Sequence, residues 1–513
     1  MLRKRTLALF MALLCALGAL CCGASAEQES AEPCQEDFEH AVLGVLTGSF
    51  YDDIAREMYP EAKIRYYDSL TDLLVSAQQG KIDAFYTYTS SYVSMKWDGI
   101  RLKIVGEPVS SMNVAFGFAL DQADGLVMRR LNAFLQEKEA DGTLREVHKK
   151  WIGDEEPTEH PDYSTLTGEN GTLRVAVVEG LRPTVYQIGS GFTGYEIELL
   201  TMFAREYGYK LELTGLKFDG VIPGLMSGKF DLAAATLAVT PERMESIAFS
   251  HPHSVEYGYL VVSEGAEESG SFWADIRESF EKTFVREERW KLIVEGVAVT
   301  TIISLFSALG GSVLGFGLYL LSRSECRPLG AAAKGIAKVY TRIVAGTPVV
   351  VILMILFYIV FGRMRDASGI LVAILGFSLT FGAFVYSHMA LSVAGVDVGQ
   401  TEAAFALGYT PRRTFFRILL PQAMAFFLPS YCAEIVSLVK ATAVVGYIAV
   451  NDLTRMGDVI RSNTYEAFFP LMATALIYFM LTWAFSLVLG RIMQSFEPKR
   501  RSEEKILRGI REK

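Results

Sequence analysis

Apolar and polar positions divide this chain into two halves with different periods. Between residues 41 and 263 the apolar residues come in short runs bounded by turn residues. Leu43-Gly44-Val45-Leu46-Thr47-Gly48-Ser49 reads as a strand running into a turn and a helix start. Gly80-Lys81-Ile82-Asp83-Ala84 leads into another strand, and Leu131–Trp151, with Asp141-Gly142-Thr143-Leu144 inside it, reads as helical. Leu173-Arg174-Val175-Ala176-Val177 is an apolar strand, and Gly194-Tyr195-Glu196-Ile197-Glu198-Leu199-Leu200 opens an amphipathic helix that ends near Gly208. A further strand and helix follow at Leu211–Leu213 and Val221–Asp231, then Ala235-Thr236-Leu237-Ala238-Val239. Strands alternating with helices predict a largely parallel sheet with helices on its faces. Beyond residue 290 the apolar runs lengthen. Five are long enough to cross a bilayer: Val297–Leu321, Ile343–Phe361, Ile370–Val393, Tyr431–Val450 and Phe468–Leu489.

Charge orients these spans. The first connector carries Arg323, Arg327, Lys334 and Lys338, the third Arg412, Arg413 and Arg417, and the tail Lys499, Arg500, Arg501 and Lys505. The positive-inside rule puts those segments in the cytoplasm and everything before Val297 outside. Residues 27–290 carry a net charge of −21, and residues 291–513 one of +9. An acidic exported half before a basic membrane half fits that topology. Arg3-Lys4-Arg5, the apolar run Leu7–Leu20 and Ala24-Ser25-Ala26 form a secretory signal over residues 1–26. An uncleaved anchor and lipidation at Cys21 or Cys22 stay open. Of the six cysteines only Cys34 lies in the exported part, so no disulfide framework is expected there. Cys326 and Cys432 are expected to be packing residues. Gly310, Gly311, Gly315 and Gly317 suit close helix packing in span one. Lys440, inside span four, reads either as a functional charge or as a snorkelling one.

The most specific motif lies in connector three. Glu402-Ala403-Ala404, three residues, Gly408, nine residues, Ile418, one residue and Leu420-Pro421 match the spacing of the cytoplasmic coupling loop of bacterial ABC importer permeases. Residues 291–495 resemble the permease subunits of polar amino-acid ABC importers. The resemblance also rests on Tyr340-Thr341-Arg342, Gly346-Thr347-Pro348, Gly399-Gln400 and Lys440-Ala441-Thr442. It implies a short helix, a glycine turn and a second helix, docked through Glu402, Ala403, Ala404, Gly408, Leu420 and Pro421 onto a separate, dimeric ATPase. ATP and Mg would belong to that partner, and no cofactor or metal is expected on this chain, which lacks a Gly-rich phosphate loop. The Glu and Arg usual in the family's third span are replaced by Ser387 and Ala390.

The exported half resembles periplasmic amino-acid-binding proteins. Residues 172–263, with Thr240-Pro241-Glu242-Arg243, resemble the first lobe; residues 41–152 resemble the second lobe with its closing helices. The order is reversed. The implied fold is a bilobed α/β type II binding-protein clamp with its lobes permuted, followed by an all-α type I permease domain of five membrane helices. Residues 27–40, 153–171 and 264–290 are linkers, the last an amphipathic segment, and 496–513 a cytoplasmic tail. Two decayed binding proteins, each missing half, are the alternative. By the resemblance Arg243 holds a ligand carboxylate, a role that a guanidinium fork suits. Thr236, Ala238 and Thr240 line the cleft beside it. Thr47 and Ser49 precede a helix start that attracts anions. Tyr88 stands where the family has an ammonium-binding Asp, and Leu181-Arg182-Pro183 where it has an aromatic. Glu179 or carbonyls would then meet an ammonium, and Arg182 a second acid group. An amino acid is the family's ligand; a dicarboxylate or other small acid stays open.

The chain therefore reads as receptor and pore of an importer, embedded in membrane lipid and homodimeric through its permease part. A ligand-gated channel or sensor is the alternative. An enzyme is disfavoured because no nucleophile–base pair or metal cluster stands out. Nucleic acid is excluded as a partner by the acidic pI of about 5.4 and the absence of a basic stripe.

Overall fold

The computed structural model describes residues 38–496 except 48, 50, 68, 179, 190, 265–271, 363 and 365–366, with backbone alone for 272–275 and 494–496. The expected signal, Cys34, Gly48, Glu179 and the basic tail lie outside the described residues. Eleven strands are described: β1 (Val42–Leu46), β2 (Lys63–Tyr67), β3 (Ala84–Tyr88), β4 (Leu102–Ala119), β5 (Thr172–Val178), β6 (Tyr186–Ile188), β7 (Gly191–Thr193), β8 (Lys210–Leu216), β9 (Leu232–Ala238), β10 (Ile247–Phe249) and β11 (Ser254–Ser263).

Two parallel trios, β2-β1-β3 and β8-β5-β9, form the centres of two lobes. Between them lie two long antiparallel strands, giving the path β2-β1-β3-β11-β4-β9-β5-β8. β4 leaves the β1–β3 lobe, and its end pairs with β9 and β10 in the other lobe. β11 runs the opposite way, and Gly258–Val261 pair with β3. Each lobe thus borrows a strand from the segment that builds the other. The segments 41–152 and 172–263 are therefore not self-contained lobes, because a strand needs a neighbour for its backbone groups and each sheet takes one from the other segment. The helices Leu126–Ala140 and Thr143–Trp151 pack their apolar face, including Leu131, Phe134, Leu135 and Trp151, against Val175, Val177, Tyr195 and Phe203 of the β5 lobe.

Among the described residues the membrane half has four helices apolar and long enough to cross a bilayer: Trp290–Ser322, Gly369–Ala394, Pro411–Ile448 and Phe468–Met493. A fifth arises if the pair Arg327–Gly346 and Val349–Val360, bent by 108°, is one span. The break of that pair falls at the start of the span expected over Ile343–Phe361. Proline 348 explains the break: it has no N–H to donate and disfavours helical backbone at Thr347, which is extended. Gly310, Gly311 and Gly315 let Trp290–Ser322 lie against Gly369–Ala394, with Ser378, Phe381 and Gly382 where a Cβ would project; Gly317 has open space. Lys440 is exposed.

Candidate ligand-binding cleft and its contact with the membrane half

The β5 lobe brings most of the expected residues together. β9 ends in Thr236, whose φ of +48° is unusual for a residue with a Cβ, and Ala238. Thr240 caps the turn Pro241–Met244 by accepting from Arg243 N at 3.3 Å. This cap aims Arg243 back along the strand, so that its Nη1 donates to Ala238 O at 3.2 Å. The guanidinium lies over the Phe218 ring, 5.3 Å from its centre. Among the described residues no carboxylate pairs with Arg243. Burial lowers its pKa, while Tyr88 and Glu242 oppose the shift.

The β1 lobe contributes Tyr88, which packs on Tyr51 with ring centres 5.0 Å apart; Tyr51 in turn stacks on Tyr86 at 5.3 Å. Burial raises the Tyr88 pKa, Arg243 opposes that shift and Glu256 adds to it. The hydroxyls of Thr47 and Ser49 donate to Tyr67 O at 3.2 Å and Leu46 O at 2.7 Å.

Arg182 does not join the cleft set. It is 5 % exposed, pairs with Asp98 Oδ2 at 2.7 Å and with Glu156, and donates to Asn463 O at 3.3 Å. The expected second anion contact is thus already neutralised by two carboxylates of the chain itself.

Three titratable groups absent from the expected set lie buried at the hinge. Glu196 accepts from Thr236 N with both oxygens, at 3.0 and 3.2 Å, and burial pushes its pKa up to about 8. His253 Nε2 stands 3.5 Å from Glu196, and burial pushes its pKa down to about 3. Glu256 Oε2 accepts from Ser90 N at 3.1 Å, and burial pushes its pKa up to about 7. Their sequence signal was faint: an acid on the apolar face of a helix, and an acid within the apolar strand β11.

One element of the membrane half touches both lobes. The helix Leu453–Thr464 holds the β1 lobe through Arg461, whose fork meets Asp72 at 2.9 and 3.2 Å. Arg461 O also accepts from Thr71 Oγ1. Tyr465, just past its end, lies 2.7 Å from Ser94 Oγ. Towards the β5 lobe, Asn463 Nδ2 donates to Gln187 O at 2.5 Å. Across the mouth Ser94 Oγ donates to Arg182 O at 2.9 Å, joining lobe to lobe.

At the other end of the membrane half, Asp397 caps the helix Val398–Ala406. Tyr409 N and Gly408 N bond back to Ala404 O and Phe405 O, with Gly408 at φ +79°. Pro411–Thr414 then starts the next helix. Ala404 is buried, Glu402, Ala403 and Pro421 are exposed, Leu420 is half-buried, and Phe405 and Leu407 stand in solvent at 50 % and 77 % exposure. Among the described residues no His, Cys, Asp or Glu cluster is arranged to hold a metal.

Residues 173–443 match the family of bacterial extracellular solute-binding proteins, family 3. The match begins with β5 and runs past β11 into the membrane helices, so only its first third is sheet. The chain is 33% identical over 217 residues to the arginine transport system permease protein ArtQ of Bacillus subtilis, covering 41% of this chain and 94% of that one. It is 32% identical over 200 residues to a putative glutamine transport system permease protein GlnP of Rickettsia felis, covering 38% and 88%. It is 29% identical over 205 residues to the L-cystine transport system permease protein TcyB of Bacillus subtilis, covering 40% and 86%. A solved amino acid ABC transporter chain, 25% identical, aligns with 44% of this chain and 98% of its own length at a TM-score of 0.37.

Proposed function

This chain belongs to the family 3 extracellular solute-binding proteins and to the amino-acid ABC transporter permeases, and from that premise we propose that it is receptor and pore of one importer, loaded by its own clamp. It is a multi-pass inner-membrane transport protein that joins a solute-binding domain to permease helices. The clamp faces outward and the C-terminus lies in the cytoplasm. A small carboxylate, an amino acid or a related acid, sits between the lobes with its anion on Arg243. The observation that carries this reading is the helix Leu453–Thr464, which with Tyr465 bonds to both lobes and is continuous with the membrane half. Ligand that closes the clamp favours one lobe arrangement, and a helix fixed to both lobes passes that preference inward.

The clamp is a circular permutant. Three observations support this: β4 carries the chain out of the first lobe, β11 brings it back, and the closing helices precede β5. Such joining costs little where domain ends lie close together. The span count is five, with the bent pair as one. A dimeric ATPase, holding ATP and Mg, docks on the loop Glu402–Pro421, where Phe405 and Leu407 offer apolar surface. Two copies meet through their permease halves.

Reconstitution with an ABC-type ATPase tests this. Gly408→Asp puts a charged side chain at a left-handed turn in the docking surface. Ligand affinity is expected to stay intact and ligand-stimulated ATP hydrolysis to vanish. Stimulation equal to wild type would remove the coupling assignment.

A further inference from the structure

We propose that Arg182 and Asp98 form a latch that holds the clamp shut with groups of the chain itself. Ligand enters and leaves when this pair parts, while each lobe stays attached to the membrane half. The latch rests on the importer reading and adds to it how access to the clamp is regulated.

Four segments meet at one junction. The β5 lobe brings Arg182, the β1 lobe Asp98 and Ser94, the segment between the lobes Glu156, and the membrane half Asn463 and Tyr465. Arg182 pairs with Asp98 Oδ2 at 2.7 Å and with Glu156, and its Nη1 donates to Asn463 O at 3.3 Å. Its carbonyl accepts from Ser94 Oγ at 2.9 Å, and Ser94 Oγ lies 2.7 Å from the Tyr465 hydroxyl. The guanidinium also lies over the ring of Trp97, the residue before Asp98, 5.8 Å from its centre. All these partners belong to the chain, so they join the lobes whatever the cleft holds.

The parts of the junction differ in what separation costs. Asp98 stands at the C-terminal end of the helix Thr89–Trp97, where the helix dipole disfavours a carboxylate, and Arg182 of the other lobe offsets that. When the lobes part, both ions meet water, and regained hydration offsets part of the lost attraction. Tyr465 behaves differently. Its ring is buried with Leu73, Phe85 and Met95 of the β1 lobe, so withdrawing it exposes apolar surface with no such return. Its φ of +53° is unusual for a residue with a Cβ and persists only where the surroundings fix it. The β5 lobe has attachments of its own. Gly180 lies against Ser462 with no room for a Cβ, and Lys217 lies over the Tyr447 ring, 4.3 Å from its centre. The ion pair between the lobes is therefore the contact that yields first.

A bridge present in the closed clamp both with and without ligand stabilises the two closed forms alike. It cancels in the affinity and shows in the rates of entry and exit. A ligand contact behaves otherwise, because its loss changes the affinity.

The test uses the full chain in lipid nanodiscs. Asp98→Asn keeps an acceptor for Arg182 Nη1 and leaves Arg182 paired with Glu156, so no buried charge is stranded. The first readout is hydrogen exchange with no ligand added. Amides of the turn Leu181–Val185 and of the end of the helix Leu453–Thr464 are expected to exchange about tenfold faster in the variant, with β1 and β5 unchanged. Unchanged exchange at both segments overturns the latch, and so does acceleration spread equally over β1 and β5, which would mark a merely structural pair. The second readout is stopped-flow binding of the common L-amino acids. For the one that binds tightest, association and dissociation are both expected to quicken about tenfold, with affinity kept within about threefold. Wild-type rates overturn the latch and leave the importer reading standing. Faster dissociation with an equal loss of affinity makes Asp98 a ligand contact and also overturns it. If no amino acid binds, the importer reading falls, and the exchange result alone decides the latch.

Discussion

Gly80-Lys81-Ile82-Asp83 in the β1 lobe and Gly228-Lys229-Phe230-Asp231 in the β5 lobe perform the same backbone task. In each, glycine takes a positive φ, +65° and +70°, to end a helix. In each, the Asp carboxylate accepts from an N–H near the start of the neighbouring strand, Val42 N at 2.7 Å and Arg174 N at 2.9 Å. The Asp N–H then donates to the carbonyl of that same residue. The lysines differ. Lys81 is exposed, whereas Lys229 is buried, donates to Ala367 O at 2.8 Å and lies over the Phe357 ring of the membrane half. One motif builds two equivalent turns, and one of them has also become an anchor. The β5 lobe is held to the membrane half by this anchor and by the helix Leu453–Thr464; the β1 lobe is held through Asp72, Thr71 and Ser94. The comparison teaches that two lobes of one construction are tied to the membrane half by different chemistry: one through a buried lysine amine, the other through an arginine–carboxylate fork and the buried hydroxyls of Thr71 and Ser94.

The largest expected effect lies where the lobes meet. Arg182→Ala leaves Asp98 and Glu156 without their cation, and breaking a buried pair costs about 3–5 kcal/mol. Melting of the full chain is expected to fall accordingly. A melting temperature equal to wild type would mean that this contact does not hold the lobes. Arg243→Ala asks the same of the ligand. Loss of a charge-assisted bond in a desolvated cleft costs about 2–4 kcal/mol, roughly 30- to 1000-fold in affinity by calorimetry. The protein itself should keep its stability, because Arg243 bonds little else. A less than threefold change in affinity would put this arginine outside the site.

The twin lysines test the anchor directly. Lys229→Met is expected to cost about 1–3 kcal/mol through its lost charged hydrogen bonds. Lys81→Met should stay within about 0.5 kcal/mol. Equal losses in denaturation would erase the distinction between the lobes. The smallest effect concerns Glu196, which belongs to the β5 lobe. Its folded pKa, about 8, lies above its ordinary value of 4.5. The folded state therefore binds the proton more tightly, and stability is lost as pH rises from about 4.5 through about 8. Glu196→Gln removes this slope, so its melting temperature should vary less with pH across that window. A variant with the wild-type slope would exclude Glu196 as the source.

Much of this was legible because it is local. Short apolar runs with glycine and Asp boundaries gave the strands, and the spacing from Glu402 to Pro421 gave the helix–turn–helix that Gly408 now closes. Arg243 was legible because its cap, its turn and its carbonyl partner all lie within five residues of it. Arg182 looked equally available, but its partners Glu156, Asp98 and Asn463 all lie far outside its own turn, the last two 84 and 281 residues away. The bend ahead of the second span was not legible because hydropathy does not register a missing N–H at Pro348.

By itself the sequence determined the elements, the membrane half with its five apolar stretches and the reversed order of the two lobe-like segments, since period, charge and motif spacing act over a few turns of chain. Tertiary structure alone decided that β4 and β11 are exchanged between lobes, because pairing depends on which edges meet. It also decided which charges are left over. Whether an arginine or a glutamate is free for a ligand depends on what the fold brings to within 3 Å of it. In this chain Asp98 and Glu156 came to Arg182, and no carboxylate among the described residues came to Arg243.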